Sequence, residues 1–505
     1  MVNRTAWNMK SKKIVLVSTL IAAQLLALPL PAEETNTLEI IKQLQKRIED
    51  LEQKVVTLER GKETNAPGLD LQSKERVEGL EKNLNALERQ RELDQNAAAE
   101  KSGSQPTVSL GANGLIVRSA DSNFLMNVHG YIQVDGRAYL GDQDSVNDTL
   151  LLRRVRPILE GFVFDKFDYR LMLDFGSGNV NSSSAGNVAI LDDAYINARL
   201  WPQFQIQAGK YKSPVGLERL QSTAELLFIE TGFATQLTPN YDLGVMAHNQ
   251  LFNTPINYAI GIFNGAADAA SDDQDVNDEG KDLVARLFAQ PFLNTQIGPL
   301  RKLGFGVAGS VGDYQGPLPS YKTPGMQTFF SYTNGVAADG QQYRVDPQFY
   351  YYWGPFGVLG EYVLSSQKVS KSGKPPVQQR FDNTAWQIEA TWFLTGEENS
   401  FRPSSRNPLM PRHNFNLGGA GWGALELVGR VQQLSLDPDA FPDYAASISA
   451  SKATAWGVGV NWYLNQNVKL SVNYDSTHFT DGSHAKGSVT AVDEQVLLGQ
   501  VQFSF

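Results

Sequence analysis

The residues best suited to chemistry lie in one basic stretch, Gly209–Arg219, which runs Gly-Lys-Tyr-Lys-Ser-Pro-Val-Gly-Leu-Glu-Arg. Pro214 fixes the backbone angle φ, and Gly216 permits conformations that other residues avoid, so we expect a shaped loop rather than a helix or strand. Anion and phosphate pores use rings of Arg and Lys, so positive side chains at this density favour anion binding. The stretch holds three candidate anion-binding residues: Lys210, Lys212 and Arg219.

A second group of cations occurs at polar positions of segments in which apolar and polar residues alternate. If these segments are strands, their polar positions share one wet face, and the cations there could select anions. In a simpler interpretation, the same cations only pair with acids of that face. Both interpretations remain open. The arginines are Arg154, Arg156, Arg170 and Arg286, and the acids are Glu160, Asp174, Glu389 and Glu426.

The remaining motifs do not support an enzyme, a metal site or a cofactor site. Gly304–Gly309 matches the glycine pattern of dinucleotide-binding sites, but it lies within an alternating segment and no helix pattern follows. The acidic loop at 272–279 lacks the Gly and the Glu that an EF-hand has at its sixth and twelfth positions. The five His residues show no metal-ligand spacing. We therefore expect no catalytic residue, no metal and no cofactor.

The composition excludes several classes of protein. A formal net charge of −10 argues against a nucleic-acid partner, which usually needs a basic surface. A mean hydropathy of −0.29 argues against a bundle of membrane-spanning helices. The 505 residues include no Cys, which excludes disulfides and Cys-ligated metals and suits a chain that crosses an oxidising periplasm.

Residues 1–32 have the pattern of a signal peptide. Four cations before residue 14 form the positive region, Ile14–Leu28 forms the apolar region, and Ala32 is the preferred cleavage position. The apolar run is shorter than the ~20 residues that a membrane-spanning helix needs. No other stretch is suited to spanning a bilayer as a helix, so membrane insertion would require a barrel.

Residues 33–100 carry apolar residues at alternating spacings of three and four, which predicts a periplasmic coiled coil interrupted near 61–70. In the first run, β-branched Ile41 and Ile48 occupy a positions while Leu44 and Leu51 occupy d positions, a pattern that favours two-stranded coils. An amphipathic helix packed on a globular domain is the alternative. Residues 101–110 contain Gly103 and Pro106 and are predicted to be a linker.

Residues 111–505 have a hydrophobic period of two, which predicts an all-β fold. Sixteen segments show this alternation of apolar and polar residues. Short turns and long loops alternate between them, which is the pattern of an antiparallel transmembrane β-barrel. Met326–Tyr332 would add a seventeenth strand. A closed antiparallel barrel with both termini on one side needs an even number, so we place this stretch inside a loop as a packed element. The predicted fold is thus a 16-stranded barrel preceded by an α-helical coiled coil.

Two stretches near the C-terminal end bear separately on the barrel prediction. Residues 395–422 occur where a short turn is expected, and the sequence offers no physical account of them. The last strand carries Gly499, Val501, Phe503 and Phe505 on one face. This ending resembles the C-terminal signal that the outer-membrane assembly machinery reads, and so supports a barrel.

Seven short motifs occur in a specific order: Arg153–Gly161, Tyr169–Phe175, Asp193–Ile196, Ala208–Ser222, Phe228–Glu230, Pro239–Gly244 and Gly261–Gly265. This ordered series resembles the phosphate-selective porin O/P family over most of residues 110–505. The resemblance implies a sixteen-stranded trimeric porin. In such a porin the third extracellular loop folds inward, and Arg and Lys in the lumen guide anions. It assigns Lys210–Arg219 to that loop or its base.

This chain departs from the family pattern at one position of interest. The family commonly has Arg in a Pro-Asn-Arg-Asp stretch, and Tyr241 stands there in this sequence. If that Arg guides anions, this chain has one cation fewer. The trimer that the resemblance implies also differs from the dimer that the heptads favour, and we expect the homotrimer because barrel interfaces outweigh a short, interrupted coil.

The sequence therefore predicts a passive channel in the outer membrane of a Gram-negative type of cell, with its N-terminal segment in the periplasm. We expect an anion-preferring porin that admits phosphate and is constricted by the basic inward loop. The predicted partners are small anions such as phosphate, outer-membrane lipid, further copies of the chain, and the cell wall through the coiled coil. The alternatives are a general-diffusion or sugar porin, and a structural barrel that tethers the outer membrane to the cell wall.

Overall fold

The computed structural model describes nine ranges of the chain, together with the single residues Lys82 and Arg89. The predicted signal peptide and, apart from those two residues, the predicted coiled coil lie outside the described residues. Within the described part, no helix is both long and apolar enough to span a bilayer. The ranges are 105–140, 147–176, 189–252, 254–271, 280–372, 377–405, 408–419, 421–482 and 493–505.

The described chain is built almost entirely from β-strands, with three short 3-10 helices at Ala234–Leu237, Gly298–Leu300 and Pro438–Ala440. The strands are β1 Thr107–Gly111, β2 Gly114–Arg118, β3 Phe124–Leu140, β4 Thr149–Val163, β5 Phe167–Asp174, β6 Ile190–Trp201, β7 Phe204–Lys212, β8 Tyr241–Gln250, β9 Ile256–Phe263, β10 Asp282–Ala289, β11 Lys302–Gly316, β12 Tyr321–Lys322, β13 Thr328–Phe330, β14 Val336–Trp353, β15 Phe356–Lys371, β16 Val377–Phe393, β17 Ala424–Ser435, β18 Ala450–Tyr463, β19 Val468–Gly482 and β20 Glu494–Ser504.

Sixteen of these strands, β3–β11 and β14–β20, form one closed antiparallel barrel. Each barrel strand is hydrogen-bonded to the next along the chain, and β20 pairs with β3 to close the sheet, with Gly499 opposite Gly136. The predicted all-β, sixteen-stranded antiparallel barrel is confirmed.

A small hairpin precedes the barrel. Strands β1 and β2 pair with each other, and β2 continues the sheet at the start of β3, with Leu115 opposite Val128. The turn needs Gly114, whose φ is +87° and where a Cβ would come within 2.2 Å of the Val128 carbonyl oxygen. Within the stretch predicted to be a linker, Thr107–Leu110 belong to β1, because their alternating Thr-Val-Ser-Leu sequence suits this hairpin.

Alternation along each strand separates a lipid-facing surface from a polar interior. In β20, Val501 and Phe503 are exposed on the outside, whereas Gln500 and Gln502 are buried inside the barrel. The apolar outer face suits lipid, and the polar inner positions avoid the cost of placing charge in the bilayer, about 2–4 kcal/mol for Arg at the midplane.

The connections at the two ends of the barrel differ in length, as predicted. Turns such as 202–203, between β6 and β7, and 354–355, between β14 and β15, lie at the short-turn end. The third connection at the other end, residues 213–240, is called the inner loop here because it lies inside the barrel with most of its residues buried. In outer-membrane barrels the short turns face the periplasm.

The loop between β11 and β14 carries a second inward element. Its strands β12 and β13 form a separate two-stranded sheet, with Tyr321 opposite Phe330. Phe329 and Phe330 are buried against Phe233 of the inner loop and Val363 of the wall. The placement of Met326–Tyr332 inside a loop is confirmed, because this stretch packs within the barrel and contributes no wall strand.

Candidate pore constriction

The inner loop turns into the barrel directly after β7. Pro214 lacks an N–H and so does not continue the strand ladder. Gly216 has a φ of +89°, and a Cβ there would come within 2.8 Å of the Cβ of Arg219. The shape predicted from Pro214 and Gly216 is therefore the sharp inward turn that starts the inner loop.

Backbone N–H groups of the inner loop bind carboxylates of the wall. The N–H of Gly216 donates to Asp346 of β14 at 2.8 Å. The N–H groups of Leu217 and Glu218 both donate to the Glu361 carboxylate of β15, at 2.5 and 3.2 Å. Breaking a buried hydrogen bond leaves its donor or acceptor unsatisfied, which is costly, so these contacts fix the start of the loop across the lumen.

The second half of the inner loop is held in the same way by neutral side chains. The N–H of Phe233 donates to Gln432 of β17 at 2.7 Å, and that of Ile229 donates to Asn473 of β19 at 2.8 Å. Within the loop, the Glu218 carboxylate accepts from the Gly232 N–H at 2.9 Å. These hydrogen bonds fasten the loop to the wall strands β14, β15, β17 and β19.

A cavity of about 100 Å³ lies between the inner loop and the wall strand β4. A water molecule occupies about 30 Å³ in the liquid, so the cavity has room for a few waters or a small oxyanion. Three of its cations come from β4, one from the end of β7 and one from the inner loop. We call this space the cation cavity; its five cations are Arg153, Arg154, Arg156, Lys212 and Arg219.

Carboxylates neutralise some of these cations. Arg153 makes a two-point contact with Glu230 of the inner loop, Nε to Oε1 at 2.7 Å and Nη2 to Oε2 at 3.0 Å. Arg156 contacts Asp174 at 2.8 Å and Asp192 at 2.7 Å. Burial alone would raise the pKa of Glu230, but the neighbouring arginines outweigh burial and hold the pKa at about 2.

Two of the cations contact only neutral oxygens in the described part of the chain. Lys212 Nζ donates to the Gln221 carbonyl at 2.6 Å. Arg219 donates to Asn240 Oδ1 at 3.2 Å and to the Thr235 carbonyl at 2.6 Å. Burial lowers the pKa of Arg219 to about 10, so the guanidinium stays charged at neutral pH. Among the described residues, neither Lys212 nor Arg219 forms an ion pair with a carboxylate, although Glu218 also lines the cavity.

Four of the seven predicted site residues line this cavity: Arg154, Arg156, Lys212 and Arg219. Arg154 donates to Gln133 at 2.8 Å, and its Nη2 lies 3.9 Å from Glu230. Alternation along β4 predicted that Arg154 and Arg156 face the lumen, and the basic composition of Gly209–Arg219 pointed to Lys212 and Arg219. Their role in anion binding stays a prediction.

The other three predicted residues do not line the cation cavity. Arg170 is paired with Glu160 at 2.6 Å and Asp193 at 2.9 Å, as the simpler interpretation of the lumen cations expected. Arg286 donates to Gln348 at 3.0 Å, and its guanidinium lies over the Phe288 ring. Lys210 is buried on β7, two residues before Lys212.

Sequence reasoning missed Arg153 because of a β-bulge. Strict alternation places Arg153 and Arg154 on opposite faces, yet both are buried. Gln133 pairs with Arg154 and the next residue, Val134, pairs with Leu152, so Arg153 is an extra residue in β4. Two consecutive arginines in a membrane strand were the available signal, because a strictly alternating strand would turn one of them toward lipid.

Tyr241 occupies the cavity at the position where the sequence departs from the family pattern. Its hydroxyl lies 3.5 Å from Nη1 of Arg156, and Lys212 Nζ lies 5.8 Å from the centre of its ring. The ring attracts Lys212 weakly through its π face. Tyr241 thus occupies space beside two cations without adding a charge.

Replacing Tyr241 by Arg should raise the preference for anions several-fold, because it adds a fixed positive charge beside Arg156 and Lys212. The reversal potential across a planar bilayer under a salt gradient measures this preference. Tyr241→Phe is the matched control, since it keeps the ring and removes only the hydroxyl. An anion preference that stays unchanged in Tyr241→Arg would show that the cavity does not set selectivity.

Arg430 of β17 forms a further buried centre near the inner loop. Its Nη1 donates to the Glu230 carbonyl at 2.9 Å and contacts Glu389 at 3.3 Å. Its Nη2 lies 3.5 Å from Asp475, and its guanidinium lies 4.2 Å from the centre of the Phe228 ring. One cation therefore links wall carboxylates to the inner loop.

A family model and a related protein sequence point to the same family. The family model described as "Phosphate-selective porin O and P" matches residues 126–505. Porin O of Pseudomonas aeruginosa is 22% identical over 396 residues, which cover 72% of this chain and 84% of that protein.

Among solved structures, the outer membrane channel DcaP of Acinetobacter baumannii is 12% identical and has a TM-score of 0.48; the match covers 77% of this chain and 99% of that chain. The anion-selective porin from Comamonas acidovorans is 12% identical and has a TM-score of 0.44; the match covers 75% of this chain and 99% of that chain.

Proposed function

We propose that this chain, which belongs to the phosphate-selective porin O and P family and is thus an outer-membrane porin, is a passive, anion-preferring channel that admits phosphate. The inner loop is its constriction, and the cation cavity is where an anion rests in transit. The observation that carries this proposal is the position of the Lys212 and Arg219 side chains, which line the cavity and donate their hydrogen bonds to neutral oxygens.

In the proposed mechanism, an anion exchanges part of its hydration for contacts with cations at the constriction. An anion that enters the lumen sheds part of its hydration shell. N–H groups of the cavity cations replace those water contacts, and their charge offsets the cost of desolvation. Arg153 and Arg156 are already paired with carboxylates, which limits the total attraction. Limited attraction matters because conduction requires release as well as binding.

The test is the reversal potential of the purified protein in a planar lipid bilayer under a potassium chloride gradient. We expect the sign that belongs to an anion-preferring pore, and a current that saturates as the phosphate concentration rises. A reversal potential of the opposite sign would contradict anion preference. Equal permeability to both ions, with current blocked by saccharides, would favour a general-diffusion or sugar porin instead.

The assembly and the periplasmic contacts are also proposals. The family resemblance supports a homotrimer, which the mass of the detergent-solubilised protein tests directly; a mass of two copies would favour the pairing that the heptads predict. Cell-wall contact through residues 33–100 remains a prediction from the sequence. Cosedimentation with peptidoglycan should be lost when those residues are deleted, and binding that persists would contradict the tether.

A further inference from the structure

In the long connection at the short-turn end, residues 395–422, the structure describes 395–405, 408–419 and 421–422. The Asn399 N–H donates to the carbonyl of Gly354, in the turn between β14 and β15, at 2.8 Å. Farther along, Ser405 and Pro408 share a small cavity with His129 of β3 and with Phe505. The segment thus contacts wall regions on different sides of the barrel.

Part of the segment enters the lumen and packs against the wall. Phe401 stacks on Tyr350 of β14, with ring centres 5.3 Å apart and an angle of 16° between the rings. Lys302 of β11 donates to the Asn399 carbonyl at 2.9 Å. The stretch around residues 399–401 is therefore fixed to the wall on the side of β11 and β14.

The next residue, Arg402, contacts the inner loop. Its Nη1 donates to the Glu225 carboxylate at 3.1 Å, and its carbonyl accepts from the Ser222 N–H at 3.3 Å. The side chains of Arg402 and Glu225 are 10% and 4% exposed, so this is a buried ion pair. Breaking such a pair leaves a buried charge without a partner.

The two contacts of Arg402 hold both ends of one turn, in which the Glu225 N–H donates to the Ser222 carbonyl at 2.8 Å. Between those ends lies Thr223, which lines the cation cavity. Its Oγ1 accepts from Arg156 Nη1 at 2.8 Å. Arg402 is thereby connected to a cavity cation through one turn of the inner loop.

We propose that Arg402, through Glu225, is a positioning residue that holds the Ser222–Glu225 turn against Arg156 and so sets the width and anion preference of the constriction. Residues 399–402 are then part of the permeation pathway rather than an inert connection. The effect on anion preference rests on the proposed function, whereas the effect on pore width does not.

Single-channel recording in planar bilayers tests the proposal with Arg402→Gln and the isosteric Glu225→Gln. Each variant is expected to raise the conductance about twofold or more and to lower the anion-to-cation permeability ratio. The double variant is expected to match the single variants, because the pair is already broken in each. Arg402→Lys keeps the charge and is expected to retain most of the anion preference.

Arg412→Gln is the matched control, since Arg412 is an exposed arginine of the same segment, and its conductance should equal that of the unmodified chain. Heat-modifiable migration on gels verifies that each barrel has folded, and Glu225→Gln serves alone if Arg402→Gln fails to fold. Unchanged conductance in folded Arg402→Gln or Glu225→Gln, or additive effects in the double variant, would overturn the proposal. If the unmodified channel is not anion-selective but these variants still widen the pore, only the proposed function fails.

Discussion

Replacing Lys212 and Arg219 together by glutamine will lower the anion-to-cation permeability ratio on the order of tenfold. An anion about 5 Å from one cation interacts with it by about 3 kcal/mol at an effective dielectric constant of about 20. Desolvation of the anion offsets part of that attraction. A net loss of about 1.4 kcal/mol is enough for a factor of ten. The measurement is the reversal potential under a salt gradient.

Two control variants separate the effect of the cavity cations from that of other positive residues. Lys210 was part of the same predicted basic stretch but does not line the cation cavity, so adding Lys210→Gln should bring no further loss of anion preference. Lys166→Gln removes an exposed cation from a short turn and serves as the control for net charge. If the double variant keeps its anion preference, Lys212 and Arg219 have no role in selectivity.

Replacing Arg430 by methionine will destabilise the barrel by about 3–5 kcal/mol, the usual cost of removing one partner from a buried ion pair. Methionine keeps most of the side-chain volume but leaves the carboxylates of Glu389 and Asp475 without their cation. It also removes the donor to the Glu230 carbonyl, so the inner loop loses a contact with the wall. Urea unfolding in lipid vesicles, followed by tryptophan fluorescence, measures the change in free energy.

Arg301→Met is the control for this second variant, because Arg301 is exposed in the turn before β11. Exposed substitutions of this kind usually change stability by less than about 0.5 kcal/mol. A loss of less than about 1 kcal/mol in Arg430→Met would mean that the wall carboxylates find other partners, and that Arg430 does not hold the inner loop in place.

The barrel was predictable from the sequence because its cause is local. A membrane strand has lipid on one side and water or polar groups on the other, so apolar and polar residues must alternate, as Val501, Gln502 and Phe503 do in β20. The connections have two typical lengths because short turns lie at the periplasmic end of such barrels and longer loops lie at the extracellular end. These constraints act within ten to fifteen residues and are therefore visible in one sequence.

The candidate site was predictable only in part, because its geometry depends on residues far apart in the chain. Parity correctly placed Arg154 and Arg156 inside the barrel. It did not show that Arg170 would be neutralised by Glu160 and Asp193, since those carboxylates lie on the two neighbouring strands. The bulge at Arg153 and the contact between Arg402 and Glu225 leave no periodic signal.

The closing seam between β20 and β3 has a consequence for how the chain reaches its folded state. Gln133 and Gln502 are hydrogen-bonded across this seam although they are 369 positions apart in sequence. Contacts between such distant positions form slowly. Until they form, β3 and β20 each present an unpaired edge, and unpaired edges bind other chains and aggregate. An assembly factor that caps one of these edges would therefore protect the unclosed sheet during insertion.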